Sequence, residues 1–515
     1  MRTEIEPETT VPAEPGFPST VSVPAWRAVL LGAAAGGLGW GIRGQYGHET
    51  GAMIAGLLVS VTLLFLLFRH APASTVIRAV AFATVGIGFG GAMTYGQTVG
   101  LTHDSALVGN GAALRWGMLG LAIKGGIWIG FFGLFLGIGL SGRRYRPIEI
   151  AALFAGMALL FTLGTLLLNS PFDPANRVLP RIYFSDDWRW EPDAVLKPRR
   201  EVWGGLLFAL AGAVAYARWV RKDTHACRLA LWAMLGGALG FPLGQSVQTF
   251  HAWNLDLFRS GVLATIDPKI NWWNFMETTF GAVFGAVVGW GVWRQRNAIM
   301  ESLLIGQQNP ANPPSLQNPH AGWSLVLLAL HTALLAISEF GNVRGIDRYT
   351  DFPLVMGLLP ILAALLHPSA SWLVALPITL MPIAGKTLRY LLYEQASINP
   401  VLGWCLFVIV PISAATVLAL VCHRTSESTK SAELPFRWLL AASTLIYFGL
   451  NFAFFRFPWP WNDWTPRTPN ALVFTLCAFA LVTTAFANRS PRDPSTPTGC
   501  RALGSGPSHS PETRG

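Results

Sequence analysis

The sequence predicts an all-α, polytopic integral membrane protein, and both composition and hydropathy support this class. Of its 515 residues, 52% are hydrophobic and only 12% are charged, against about 25% charged residues in an average soluble domain. The mean hydropathy is positive, at +0.43. Apolar stretches of roughly 17–25 residues, each long enough to cross a hydrocarbon core, recur along the whole chain.

About fourteen of these stretches are predicted to span the membrane as helices, because a helix satisfies its own backbone hydrogen bonds in lipid. The first half contributes spans at 26–42, 51–68, 75–95, 122–140, 148–168, 202–219, 228–248 and 274–293. The second half contributes spans at 322–340, 352–367, 371–392, 400–422, 436–455 and 470–487.

Composition also divides the chain into two membrane domains. Residues 26–296 are predicted to form a glycine-rich domain of eight helices, and residues 322–487 a leucine-rich domain of six. Residues 297–321 are interpreted as a cytoplasmic linker between them. The first 25 residues lack the basic segment and cleavage pattern of a signal peptide. Together with the Pro/Ser/Gly-rich residues 488–515, they are predicted to be disordered cytoplasmic tails.

Basic residues predict which side of the membrane each connection faces. Arg and Lys are concentrated in alternate connections such as 141–147 and 294–321, which the positive-inside rule places in the cytoplasm. Connections 43–50, 169–201 and 457–469 are then external, and both termini are cytoplasmic, in a plasma membrane. The net charge of +10 is therefore explained by the Arg and Lys residues that orient the protein in the membrane. No basic soluble domain is present to bind nucleic acid.

Polar residues are concentrated where three helices of the first half end. The first connection reads GWGIRGQYGHETGAM over residues 39–53, and the third and seventh helices end in the shared pattern Gly-Gln-[Ser/Thr]-Val-x-x-x-His. Three related endings at the same predicted side of the membrane indicate an internal repeat. The residues concerned are Arg43, Gln45, His48 and Glu49 in the first ending, Gln97 and His103 in the second, and Gln245 and His251 in the third.

The even-numbered helices of the first half begin alike, with a charged residue followed by glycines. These charges are Glu49, Lys124, Glu201 and Glu277, each roughly 17–20 residues ahead of the arginine that ends its span, close to one hydrocarbon thickness. Lys124 is therefore predicted at the external boundary, with residues 104–121 inserted before its helix. The first half then consists of four Gly-rich helical hairpins that present matching polar groups at one depth.

These groups form a candidate substrate or ion site, because ionisable residues at one membrane depth mark such sites. A buried carboxylate needs an opposite charge, so Lys124 or Arg43 is expected beside Glu49 and Glu277. Glu201, on the least regular hairpin, is expected to matter less. The candidate residues are Arg43, Gln45, His48, Glu49, Gln97, His103, Lys124, Gln245, His251 and Glu277, and the second half adds similar groups at Glu339, Lys386 and Arg389.

Simpler interpretations remain open for each residue taken singly. A glutamate at a helix start is commonly solvated at the interface, and a glutamine there commonly caps the helix end. Three imidazoles and a carboxylate are a donor set for zinc, but their spacing matches no metal signature. None of the five cysteines falls in a predicted external loop, so a Cys-based zinc site is not indicated either. We therefore expect no metal and no other cofactor.

Two classes of function fit this sequence. The first is a secondary transporter of a small polar or anionic solute, since the chain has internal repeats, Gly-rich helices and no P-loop pattern. The second is a membrane-embedded enzyme that acts on a lipid-linked or extracytoplasmic substrate, with His48 and Glu49 as acid and base and Arg43 as an anion clamp. A scaffold role is a third. The repeat favours transport. The expected partners are the lipid bilayer and the substrate, and the sequence does not assign an oligomeric state.

Overall fold

The computed structural model describes residues 23–143, 145–185, 190, 198–308, 321–341, 343–429, 431–455 and 467–487. Within these ranges the regular structure is helical, apart from one isolated bridge between Asp173 and Val178. The predicted tails, except for residues 23–25, and most of the predicted external connection 457–469 lie outside the described residues.

Among the described residues, nine helices of eight residues or more belong to the first half and six to the second. The first-half helices are α1 (Ala25–Arg43), α2 (Glu49–Phe68), α3 (Ala73–Ala92), α4 (Gly96–His103), α5 (Gly111–Leu140), α6 (Pro147–Leu168), α7 (Trp203–Val220), α8 (Thr224–Trp253) and α9 (Trp272–Gln308). The second-half helices are α10 (Ala321–Phe340), α11 (Pro353–Leu366), α12 (Pro368–Glu394), α13 (Pro400–Thr429), α14 (Glu433–Phe455) and α15 (Thr468–Ala487). Two short helices, Leu255–Phe258 and Gly261–Ile266, connect α8 to α9.

Eleven of the helices in the described part of the chain are long and apolar enough to cross a membrane. The exceptions are α1, α4, α11 and α14, of which α11 is apolar but has only 14 residues. The chain is thus an all-helical, multi-pass membrane protein. Every predicted span coincides with one of the fifteen numbered helices. That all fourteen of these spans cross the membrane stays a prediction.

The structure corrects the predicted position of Lys124. Helix α5 runs unbroken for 30 residues, and Lys124 lies near its midpoint, so residues 111–121 are part of the helix and not an insertion before it. The prediction assumed that a lysine avoids the middle of a span. Lys124 is fully buried, however, and is paired with Glu201. A charge that is paired inside a helical bundle need not reach the membrane boundary.

Close helix crossings at glycine hold the first half together. A Cβ atom added at Gly125 of α5 would overlap the carbonyl of Gly237 on α8, and the reverse is also true. The same reciprocal overlap relates α1 to α9 and α6 to α7 at the pairs Gly36–Gly281 and Gly164–Gly204. Small residues let helix backbones approach in this way, where dispersion forces must replace the hydrophobic effect. The four predicted hairpins α1–α2, α3–α5, α6–α7 and α8–α9 each pack as a pair, while their descent from a repeat stays a prediction.

The two halves are packed directly against each other. Helix α15 contacts α1, α14 contacts α2, and α11 and α12 contact α3. Helix α2 is consequently enclosed along its whole length, whereas α6, α10 and α13 leave most of their apolar surface exposed. Those exposed faces would contact the lipid bilayer. The first connection, residues 44–48, lies at the junction of the halves, and this position determines the surroundings of the candidate site.

Candidate functional site

The third helix is interrupted beside two buried ion pairs. Helix α3 ends at Ala92, the backbone is extended at Met93 (φ −74°, ψ 131°), and α4 begins at Gly96. The sequence predicted a continuous span to residue 95. The break leaves the Thr94 carbonyl outside regular helical bonding and brings the side chain of Tyr95 into the interior, where it is 3% exposed. Both buried cations of the first half bind residues of this break.

Arg43 and Glu277 form the first ion pair. Arg43 ends α1 and Glu277 lies in the second turn of α9, and the two residues are 0% and 1% exposed. Arg43 Nη2 donates to Glu277 Oε1 at 3.0 Å and to the Tyr95 hydroxyl at 2.7 Å. The Tyr95 hydroxyl and the Trp273 indole N–H each donate to the same carboxylate oxygen at 3.2 Å. Three donors therefore converge on one oxygen of Glu277.

The remaining polar atoms of this pair lack partners. Arg43 Nε and Nη1 and Glu277 Oε2 are buried and have no hydrogen-bond partner among the described residues. Arginine and carboxylate commonly pair through two parallel hydrogen bonds, but here they share only one contact. An unsatisfied buried polar atom costs about 1–3 kcal/mol. Such atoms also occur at other buried side chains, such as Gln245 and Asn470, but here they belong to both members of one ion pair, which makes the pair a candidate ligand site.

Aromatic rings and a glycine complete the surroundings. The Arg43 guanidinium carbon lies 4.6 Å from the Trp40 ring centroid and 5.3 Å from those of Tyr95 and Trp128. Gly44, which is exposed, adjoins the other side of the pair, and a Cβ added there would lie 2.5 Å from Glu277 Oε2. A residue without a side chain thus separates the free carboxylate oxygen from the surface.

His48 lies against this cluster as a neutral imidazole. Its ring centroid is 4.8 Å from that of Tyr95. Burial and the nearby Arg43 charge lower the pKa of His48 to about 3, so the ring carries no charge at physiological pH. His48 therefore contributes shape and polarity to the cluster without changing its charge balance.

Lys124 and Glu201 form the second ion pair, on the other side of the break. Lys124 Nζ donates to the Thr94 carbonyl and to Thr98 Oγ1, both at 2.7 Å, and to Glu201 Oε1. Glu201 also accepts hydrogen bonds from the Phe184 backbone N–H at 2.9 Å and from Ser185 Oγ at 3.2 Å. All three ammonium protons and both carboxylate oxygens are used. The sequence treated Glu201 as a lesser residue, but it is 1% exposed and is the partner of Lys124.

Glu49 lies between the first ion pair and the second half of the molecule. It acts electrostatically on both Arg43 and Lys386. Lys386 Nζ, from α12, donates to the Tyr46 carbonyl at 2.8 Å and to Thr50 Oγ1 at 2.9 Å. Gly47 has a positive φ of +85°, and a Cβ there would lie 3.0 Å from Nζ, so glycine makes this approach possible. Lys386 thereby ties the second half to the first connection.

A small cavity continues from Thr50 between the two halves. Its lining includes Met53, His331, Pro360 and Pro382. Proline cannot donate a backbone hydrogen bond, so Pro360 in α11 and Pro382 in α12 each free a carbonyl one turn earlier. The Met356 carbonyl freed in this way accepts the Tyr349 hydroxyl at 3.2 Å, and that hydroxyl also contacts His331 Nδ1 at 2.9 Å. Proline-containing helices thus line this cavity from the second half.

Four other candidate residues bond to groups outside the Arg43 cluster, which consists of Arg43, Tyr95, Trp273 and Glu277. Gln97 accepts a hydrogen bond from the Arg199 backbone N–H at 3.1 Å, and Gln245 donates to Thr102 Oγ1 at 2.7 Å. His103 contacts the Val99 carbonyl at 2.9 Å and His251 contacts Asp267 at 2.7 Å. Gln45 is half-buried in the first connection. The predicted single site is therefore divided among several local environments.

The three histidines do not meet, and no group of three His, Cys, Asp or Glu side chains within the described ranges is placed to hold a metal ion. Two members of the Arg43 cluster, Tyr95 and Trp273, were missed by the sequence reasoning. The signal for Tyr95 was its position directly before Gly96-Gln97. Trp273 could not be distinguished by sequence from the many other tryptophans, because tryptophan is common at membrane interfaces without a functional role.

Comparison of the chain with protein-family models, with curated proteins and with solved structures finds no significant match. The contacts around Arg43 and Glu277 therefore carry the functional assignment. The unpaired N–H groups of Arg43 could bind an acceptor, and the unpaired oxygen of Glu277 could bind a donor. Aromatic rings surround the pair, which lies at the break between α3 and α4.

Proposed function

We propose that the protein is a secondary transporter of a small polar solute and that Arg43, Tyr95 and Glu277 bind this solute. The observation that carries the proposal is the buried Arg43–Glu277 pair at the α3–α4 break, with hydrogen-bonding atoms on both members left unused. Transporters characteristically bind their substrates where membrane helices are discontinuous.

The position of the pair in the first half, close to the junction with the second half, favours transport over a fixed catalytic site. Lys386 and the cavity beside Thr50 connect the first connection to α11 and α12, which contain Pro360 and Pro382. Helix breaks are points where a small change of backbone angles moves one helix segment against another. Movement of one half against the other would expose the Arg43 cluster to alternate sides of the membrane.

We further propose that the cluster faces the external side, as the distribution of basic residues predicts. Access would pass Gly44, which is exposed and adjoins the free oxygen of Glu277. The sequence contains no P-loop pattern, so the driving force would be a solute or ion gradient.

The test is thermal unfolding of the full-length protein in lipid nanodiscs with a defined panel of solutes. The panel contains glycine, L-alanine, acetate, inorganic phosphate, choline, glucose and undecaprenyl phosphate. We expect a water-soluble member to raise the unfolding temperature of the wild type and to exchange across proteoliposomes in counterflow. Arg43→Gln should lose both responses.

Gln97→Ala provides the matched control, because Gln97 is a repeat residue that lies outside the Arg43 cluster. It should keep both responses. Stabilisation by undecaprenyl phosphate alone would support the enzyme alternative instead. A wild type that neither responds to any solute nor catalyses counterflow would contradict the proposed transport.

A further inference from the structure

We propose that the solute is a small zwitterion, with its carboxylate on Arg43 and its ammonium group on Glu277. This inference rests on the proposed transport function and names the substrate class of the same site. It follows from the charge balance of the ion pair, from the atoms that each member leaves free, and from the absence of a side chain at Gly44 next to Glu277.

The charge balance excludes solutes of net charge on physical grounds. Arg43 and Glu277 are both almost fully buried and neutralise each other. A simple anion bound to Arg43 would leave the Glu277 carboxylate uncompensated, and a simple cation bound to Glu277 would leave Arg43 uncompensated. An uncompensated buried charge is strongly unfavourable. A zwitterion inserts one charge of each sign and preserves the balance.

The free atoms match the two ends of such a molecule. Arg43 Nη2 is used by Tyr95 and Glu277, which leaves the N–H groups of Nε and Nη1 as donors for a carboxylate. Glu277 Oε1 receives three donors, which leaves Oε2 as an acceptor for an ammonium group. Donor and acceptor sites therefore lie on adjoining side chains, as the two ends of a short zwitterion require.

Neighbouring groups do not upset this balance. His48 is neutral, and Trp40 and Trp128 present aromatic faces. The flanking charges are of both signs: Glu49 acts on Arg43 and is itself accompanied by Lys386, and Arg467 acts on Glu277. Because Gly44 has no side chain, its backbone can lie next to Oε2, whereas the Cβ of any other residue there would be 2.5 Å from this oxygen.

The test compares solutes matched in size but different in charge. Dissociation constants of the full-length protein in nanodiscs are measured for L-alanine, β-alanine and glycine, for acetate and propionate, and for methylammonium and ethylammonium. We expect at least one zwitterion to bind more than about tenfold more tightly than its matched anion and amine, because only the zwitterion keeps both buried charges compensated.

Glu277→Gln gives a second, independent readout. The amide keeps the shape of the side chain but removes its charge, so acetate and propionate should now bind at least as tightly as the zwitterions. Gly44→Ala, which preserves the charge pair, should weaken zwitterion binding without reversing the preference.

Two results would overturn the inference. One is that the wild type binds anions and zwitterions equally and that Glu277→Gln does not change this preference. That result would contradict the zwitterion as substrate but would remain compatible with transport of an anion. The other is a wild type that binds none of the zwitterions while another solute of the panel is transported. Absence of both binding and counterflow for every solute is a different outcome, because it removes the proposed function itself.

Discussion

The Arg43–Glu277 and Lys124–Glu201 pairs each bond to a residue of the same helix break, yet they differ in one decisive respect. Every polar atom of Lys124 and Glu201 that can form a hydrogen bond has a partner. The Arg43–Glu277 pair is equally buried but leaves atoms of both side chains unused. We interpret the completely bonded pair as a structural element and the incompletely bonded pair as the proposed binding site.

The two pairs also bind different parts of the break. Lys124 holds the backbone of the break through the Thr94 carbonyl, whereas Arg43 holds only the side chain of Tyr95. A side chain can reorient without unfolding the helix that carries it. The comparison therefore predicts that changes at Lys124 affect folding and that changes at Arg43 affect function.

The largest expected effect is on stability, from Lys124→Met. The substitution leaves Glu201 as a buried carboxylate without a cation, which should cost about 3–5 kcal/mol of unfolding free energy. Denaturant unfolding in mild detergent measures it. The double variant Lys124→Met/Glu201→Gln should recover part of the loss. A single variant as stable as the wild type would contradict the structural role of this pair.

Gly125→Ala tests the helix crossing directly beside Lys124. Its Cβ would overlap the Gly237 carbonyl of α8, so we expect a loss of about 1–3 kcal/mol from overpacking. Gly126→Ala is the control, because its Cβ would meet its nearest neighbours at 3.3 and 3.4 Å. Equal stability of the two variants in denaturant unfolding would argue against the tight α5–α8 crossing.

Gly44→Ala should affect the Arg43–Glu277 pair, and its effect should be on solute binding. The added Cβ would lie 2.5 Å from Glu277 Oε2 and would displace the carboxylate. We expect solute affinity to fall by about tenfold, equivalent to roughly 1.4 kcal/mol. Gly96→Ala is the matched control, because Gly96 has no atom within 4 Å of its Cβ position. Titration calorimetry distinguishes the two, and equal affinities would place the binding site elsewhere.

The smallest expected effect is a pH dependence from His48. Its pKa is about 3 in the folded protein against an ordinary value of 6.5, so the unfolded chain binds more protons between these values. Stability should therefore fall as the pH drops below 6.5, by about 1 kcal/mol per pH unit. Thermal unfolding at pH 7.5 and 5.5 measures this, and His48→Gln should reduce the difference. An unchanged pH dependence in the variant would show that His48 is not the group responsible.

Hydropathy located the fourteen apolar helices, because burial of an apolar span in lipid depends on composition and length, but it missed α4 and the first turns of α5. The sequence also identified Arg43, Glu49 and Glu277 as related polar groups. It could not identify Glu201 as the partner of Lys124, because the two residues are 77 positions apart and meet only through packing. The break at residues 93–95 was equally hidden, since its flanking glycines also suit close helix packing.

The central claim is that the incomplete pair binds solute, and Arg43→Lys tests it most directly. Lysine keeps the positive charge for Glu277 but lacks the additional N–H groups that a solute carboxylate would use. The measurement is counterflow of a labelled zwitterion, the one of glycine, L-alanine and β-alanine that the wild type binds most tightly. The proteoliposomes contain the wild type, Arg43→Lys or Gln97→Ala. We predict exchange by the wild type and by Gln97→Ala, and a loss of at least about tenfold in Arg43→Lys, with its unfolding temperature close to that of the wild type. Exchange by Arg43→Lys at the wild-type rate would contradict the assignment.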